Sequence, residues 1–309
     1  MTSIFSIQNL KNIFVTNNSV IIDSGKIVKA SCVTEVVYQK YQKFGFKLKY
    51  FFPILVFSKK PHILITDEWS KNYCHWLWEA LSKLVDLKKA TPDATLILPK
   101  SYLKIDFMMR SLEAFGFNKN NIKTIPKKSK LYLKNLSFIP CIDIATEGYY
   151  DFLKFNEASQ ILVAHHKKNF QINFGERIYI SRSDPKKNTA RKVANEDELV
   201  KVLEKHGFKT VYMENFSFLE QIAIMHNAKI IIAPHGAGIT NAMFAKNDAH
   251  VIELVNEKWQ KTCFAEMFDR MKTSYGRIDC KQVDDRTMQL SDIKVDIVNV
   301  EKKLIEILR

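Results

Sequence analysis

Between residues 177 and 255 short β-branched runs alternate with capped amphipathic stretches, and this alternation constrains the fold more than any other feature of the chain. Residues 177–181 (RIYIS), 208–213, 229–233 (KIIIA) and 250–255 read as strands. The third is apolar at four of its five positions, which predicts a strand covered on both faces. Asn195 with Glu198 three residues on, and Ser217 with Glu220, carry the spacing of helix N-caps, and Gly207 stops the first of the two helices. Strand, helix and strand joined by few residues can close only as right-handed βαβ units around a parallel sheet.

The first half repeats the theme less regularly. Residues 51–57, 62–66, 95–98, 122–125 and 136–139 read as strands, and 72–88 and 102–115 as helices, the second closed by Gly116. About 50 irregular or β residues precede them. Residues 149–170 have helical spacing and link the halves, and the tail 293–308 reads as one amphipathic packing helix. A length of 309 residues suits two domains, and an apolar fraction of 46% with 12% aromatics excludes a disordered chain.

Five cysteines (32, 74, 141, 263 and 280) form no CxxC pair and leave one over, which argues against a disulfide scaffold or a structural zinc site and for a reducing compartment. No apolar run approaches the roughly 20 residues of a membrane span, and the first 30 residues lack the pattern of a signal peptide. These features predict a cytoplasmic protein. The net charge of +14, with clusters at Lys127–Lys128–Lys130–Lys134, His165–His166–Lys167–Lys168 and Lys186–Lys187, creates a field that attracts anions or acidic headgroups. The same charge also fits a solvated lysine-rich surface. No RNP, helix-turn-helix or zinc-finger spacing accompanies it, so nucleic acid is not an expected partner.

The chemistry-bearing segment is Pro234-His235-Gly236-Ala237-Gly238-Ile239-Thr240-Asn241, which leaves the 229–233 strand and enters a helix. Its two glycines let backbone approach a ligand, and a cap at Thr240 or Asn241 would aim free N–H groups at a phosphate. It is neither the dinucleotide fingerprint nor a Walker A loop. The alternative is a tight βα turn without a ligand. Arg182 and Arg191, on the loop after the 177–181 strand, can clamp a diphosphate at the same sheet edge; otherwise they are solvated charges. Glu253, acidic within an apolar strand, either contacts a ribose or faces solvent. His75 and Glu79 lie four apart on one helix, flanked by Trp76 and Trp78. They offer a general base with its orienting partner, or a surface pair beside a tryptophan core. The sequence has no Asp-x-Asp, no HExxH and no Gly-x-Ser-x-Gly, so no metal site or serine nucleophile is expected.

The runs RIYISR (177–182), RKVANE (191–196), FLEQI (218–222), AKIIIAPHGAGITN (228–241) and VIEL (251–254), preceded by NYCHWLWE (72–79), resemble glycosyltransferase family 61 in its bacterial capsular polysaccharide form. The resemblance implies a GT-B arrangement, an α/β architecture of two Rossmann-like domains facing across a cleft. Residues 1–160 would be the acceptor side, 161–285 the nucleotide-sugar domain and 286–309 a packing helix. It also implies inverting transfer from a nucleoside-diphosphate sugar, usually a UDP-sugar, to a glycan or lipid-linked glycan of capsule or lipopolysaccharide. No cofactor or obligatory metal is needed, and the site would be cytoplasmic or peripheral at the inner membrane face. Arg182 and Arg191 correspond to the diphosphate arginines, and His235, Gly236, Ala237, Gly238, Thr240 and Asn241 to the donor loop. Glu253 corresponds to the nucleotide contact, and Glu79, oriented by His75, to the base. Family members commonly carry Asp where this chain has Glu79. A non-catalytic nucleotide-sugar or polyanion binder on the same fold is the alternative.

Overall fold

A computed structural model describes residues 6–43, 45–46, 50, 53–58, 60–141, 152–183, 190–260 and 262–308. The start of the 51–57 strand, the first residues of the 149–170 helix, the interior of the 182–194 loop and Lys186–Lys187 lie outside the described residues. The chain divides into two compact units, Met1–Leu162 and Val163–Arg309. Each is built on one sheet, as an α/β class requires.

The first sheet contains β1 (Gln8–Thr16), β2 (Ile21–Asp23), β3 (Lys26–Ile27), β4 (Pro53–Leu55), β5 (His62–Leu64), β6 (Thr95–Pro99), β7 (Ile122–Ile125) and β8 (Lys130–Phe138). Its order is β3-β2-β1-β8-β5-β6-β7. β8 organises it. One edge pairs antiparallel with β1 along its whole length, while the other takes β4 at Lys130–Tyr132 and β5 at Leu136–Phe138, both parallel. The core under it gathers Ile13, Val15, Leu64, Ile97, Leu131, Leu133 and Phe138.

The second sheet contains β9 (Arg177–Ile180), β10 (Lys209–Val211), β11 (Ile230–Pro234), β12 (His250–Asn256), β13 (Ser274–Gln282) and β14 (Ile293–Lys294), in the order β10-β9-β11-β12-β13-β14. All pairs are parallel except β13 with β14. Every residue of β11 is buried, as its unbroken apolar run predicts. Ser217 and Glu220 form the expected capping box of the helix Phe218–Asn227. Gly207, at φ 75°, follows the helix Glu196–Lys205.

The structure corrects four expectations. Asn195 does not cap its helix with its side chain. Instead its Nδ2 donates to Val295 O and its Oδ1 accepts from Val295 N, both at 2.9 Å. The tail is not one helix: Ile293 and Val295, each 3% exposed, alternate inward as strand residues do, and the helix is Ile297–Leu308. Residues 102–115 divide into a 3-10 turn, Lys100–Lys104, and a helix, Asp106–Ala114. Within the first 50 residues a helix forms at Glu35–Gln42, where Thr34 Oγ1 accepts from Val37 N. Sequence reading also omits β13, in which Ile278 and Cys280 are buried among polar, more exposed neighbours.

The Asn195 clamp yields a stability prediction. Asn195→Ala removes two hydrogen bonds and leaves backbone groups of the buried Val295 unpaired. The expected loss is about 1–3 kcal/mol, read as a lower urea midpoint with an unchanged slope.

Candidate functional site

In the second sheet the chain passes from β9 outward to β10, then back across β9 to β11 and on to β12 and β13. Connections therefore leave the neighbouring strands β9 and β11 in opposite directions, which opens a crevice at their carboxyl ends where ligands of such sheets bind. β9 delivers Arg182 to this edge and β11 delivers His235 and Gly236. Gly236 has φ 149° and ψ −174°, a region that side chains rarely adopt. A Cβ there would collide with Arg182 Nη1 and lie 3.5 Å from Arg191 Nη2. The guanidinium groups of Arg182 and Arg191 thus rest against this glycine.

Two half-buried cations side by side are electrostatically unfavourable unless an anion joins them. Burial, and then the charge of Arg191, push the Arg182 guanidinium down to about 10, with Glu214 offsetting part of the effect. Burial also lowers Arg191. Both stay charged at neutral pH. Arg191 adopts φ 63°, and its Nε is buried without a hydrogen-bond partner. After Gly236 the chain forms a 3-10 helix, Ala237–Phe244. Its first bond runs from Ile239 N to Gly236 O, so the amides of Ala237 and Gly238 have no intrahelical acceptor.

The helix start differs from the sequence expectation. Gly236 occupies the cap, whereas Thr240 and Asn241 lie within the helix, 0% and 1% exposed. Asn241 Nδ2 donates to Gln221 Oε1 at 3.1 Å, and Thr240 Oγ1 is buried without a partner. Glu253 is buried too, and both of its oxygens are engaged within the fold. His235 Nδ1 lies 2.5 Å from Oε1, and Tyr275 Oη donates to Oε2 at 2.6 Å. Trp259 packs on His235 with ring centroids 4.4 Å apart, and Phe264 meets it edge-on at 5.4 Å. Burial, then the Glu253 carboxylate, raise the Tyr275 phenol and keep it a donor. Tyr275 and Trp259 were beyond sequence reading: nothing in their spacing marks them, and pairing of β12 with β13 brings Tyr275 to Glu253.

In the first sheet β5 connects outward to β6, and β8 returns to the other side of β5. The carboxyl ends of β5 and β8 are thus neighbours in the sheet. The helix that follows β5 starts at Tyr73–His75, passes through a π turn at Trp76–Ala80 and continues as Leu81–Ala90. Trp76 is fully buried, its Nε1 donating to Ser111 Oγ at 2.9 Å, and Trp78 packs edge-on against Phe155. The tryptophans are core, and the polar pair sits beside them: His75 Nδ1 is 2.6 Å from Glu79 Oε1. Burial opposes charge on the His75 ring. The Glu79 hydrogen bond, with the charges of Glu79 and Asp67, outweighs burial and the opposing Lys83, so the imidazole stands above its ordinary value.

One turn further on, Lys83 is buried with its Nζ 3.4 Å from Asp67 Oδ2 and 3.8 Å from Cys141 Sγ. Burial pushes the Cys141 thiol up to about 12. Sequence reading missed Asp67 and Lys83, since only the end of β5 brings them together. Among the described residues no group of three or more His, Cys, Asp or Glu is placed to hold a metal ion.

The family model for Glycosyltransferase 61 matches residues 73–252, a span that runs from the start of the His75 helix into β12. The EGF domain-specific O-linked N-acetylglucosamine transferase of Drosophila melanogaster is 41% identical over 81 residues, 25% of this chain and 15% of that protein. Those of Xenopus laevis and Mus musculus are 42% and 39% identical over 71 residues, 21% of this chain and 14% of each. The chain thus covers only 14–15% of the length of these relatives.

Gly236 gives the site its own test. Gly236→Ala forces a residue with a side chain into a glycine conformation and displaces Arg182, at an expected cost of about 1–3 kcal/mol in urea unfolding. Gly238→Ala, whose Cβ would meet only Ile180 Cγ2 at 3.4 Å, should cost less.

Proposed function

The chain belongs to glycosyltransferase family 61, and on that premise we propose that it moves a sugar from a UDP-sugar to a hydroxyl of a glycan or lipid-linked glycan. Transfer proceeds with inversion and needs no metal. The observation that carries this reading is the pair Arg182 and Arg191 against the Gly236 backbone, at the crevice where β9 and β11 end. Cationic side chains and the amides of Ala237 and Gly238 supply the charge stabilisation that a departing diphosphate demands. In the GT-B arrangement, which we adopt for this chain, the second unit takes the donor and the first takes the acceptor.

Single displacement requires a base for the acceptor hydroxyl, and the His75–Glu79 pair provides it. N-Acetylglucosamine, the sugar in the names of the relatives, is the first to try. For the pathway we take surface-polysaccharide synthesis, capsule or lipopolysaccharide, at the cytoplasmic face of the membrane. Among the described residues no helix is long and apolar enough to cross a membrane, so any attachment by helices of the described part would be peripheral.

Two measurements decide the donor side. Release of UDP from UDP-sugars should persist in EDTA; loss of activity that Mn²⁺ or Mg²⁺ restores would refute metal independence. Arg182→Ala or Arg191→Ala removes a charge-assisted contact worth about 1.5–3 kcal/mol. UDP affinity by calorimetry should then fall roughly ten- to a hundredfold while the fold is kept. Unchanged affinity in both variants moves the nucleotide elsewhere.

A further inference from the structure

We propose that the group which removes the acceptor's proton is His75 Nε2, and that Glu79 is a positioning residue that acts through it. The inference rests on the transferase reading above and reverses the roles that the family resemblance gives to the two side chains. Geometry carries it. The Glu79 side chain is 9% exposed and the His75 side chain 26%, so of the two the ring is the one that solvent, and an acceptor, can reach. Glu79 Oε1 engages Nδ1 at 2.6 Å. A carboxylate accepts hydrogen bonds, so Nδ1 carries the hydrogen and Nε2 keeps the lone pair. A base needs that lone pair. Glu79, enclosed in the π turn between Trp76 and Ala80, is placed to fix the tautomer and to balance the imidazolium once it forms.

The step balances as follows. The acceptor oxygen forms a bond to the anomeric carbon as the bond from that carbon to the β-phosphate oxygen breaks, and its electron pair leaves with the nucleoside diphosphate. The hydroxyl proton passes to Nε2 and then to solvent. The charged groups facing the ring are Glu79 and Lys83 from its own helix and Asp67 from the turn after β5, and Trp69 packs on it at 5.1 Å. Burial opposes charge on the ring, but the Glu79 hydrogen bond and the two carboxylates outweigh it, so the base form, and with it the rate, should appear at higher pH than for an unperturbed imidazole.

The test uses UDP release from UDP-N-acetylglucosamine with water as acceptor, across pH, together with long-range ¹H–¹⁵N spectra of the unliganded protein. Recorded at a pH above the rising limb, where the ring is neutral, the expected spectrum shows His75 protonated at Nδ1 and not at Nε2. His75→Ala should lower turnover about 10²–10⁴-fold and recover in part with added imidazole. Glu79→Gln should lose less, gain nothing from imidazole, and shift the rising limb of the pH profile to lower pH, because the partner that raised it is gone. The reverse pattern overturns the proposal: a larger loss in Glu79→Gln, rescue of Glu79→Ala by formate, and no rescue of His75→Ala. So does an Nε2–H tautomer in the wild type, which needs no variant to fold. If the wild type releases no UDP from any UDP-sugar, the transferase reading fails, and the base assignment with it; release with the wrong rescue pattern sinks the assignment alone.

Discussion

The register of β11 on β12 sets Ala233 opposite Glu253 and closes with His235 N donating to Leu254 O at 2.9 Å. β11 is paired on both edges and buried on both faces, so a slip of register would break two hydrogen-bonded ladders and force its side chains into close-packed surroundings. Two residues past Ala233, the backbone must emerge where the His235 ring meets the Glu253 carboxylate. One residue later it must accommodate the guanidinium groups of Arg182 and Arg191 at φ 149°, which a glycine does without strain. The geometry of the loop is thus inherited from the strand before it.

The two units use one device in different settings. In each a buried carboxylate engages Nδ1 of a more exposed histidine: Glu79 with His75 within a helix, Glu253 with His235 between two strands. The carboxylates differ in support. Glu253 is steadied by the Tyr275 hydroxyl, and Glu79 stands one turn from the Lys83–Asp67 ion pair. In both cases burial of the acid leaves the ring as the part a ligand can meet.

What sequence disclosed follows from where information is local. The strands β9 to β12, the Ser217 capping box and the His75–Glu79 spacing are short-range patterns, and all appear in the structure. The use of Asn195 was hidden because its partner, Val295, is 100 residues away, so a capping signature was spent on a tertiary clamp. β13 escaped because its exposed residues dilute the apolar alternation. Thr240 and Asn241 looked like caps because the sequence cannot distinguish a 3-10 turn that begins at Ala237 from an α-helix that begins later. Glu253 reads as an acid in a strand, and only the pairing of β13 supplies the tyrosine that occupies its second oxygen.

Arg191 stands on a segment sewn to the far end of the chain. Lys192 N donates to Asp292 Oδ1, Ile293 N donates to Lys192 O, and Ala194 N donates to Ile293 O. The helix Ile297–Leu308 in turn anchors that end by sinking Val300 and Leu304 into the core beneath the sheet. The stretch that identifies the family ends at residue 252, yet the backbone that holds one of its two arginines is secured by residues 292–295. The recognisable module and the working module therefore have different borders. Recombination or domain grafting cut at the end of the family signature would carry away the arginine and leave its anchorage behind.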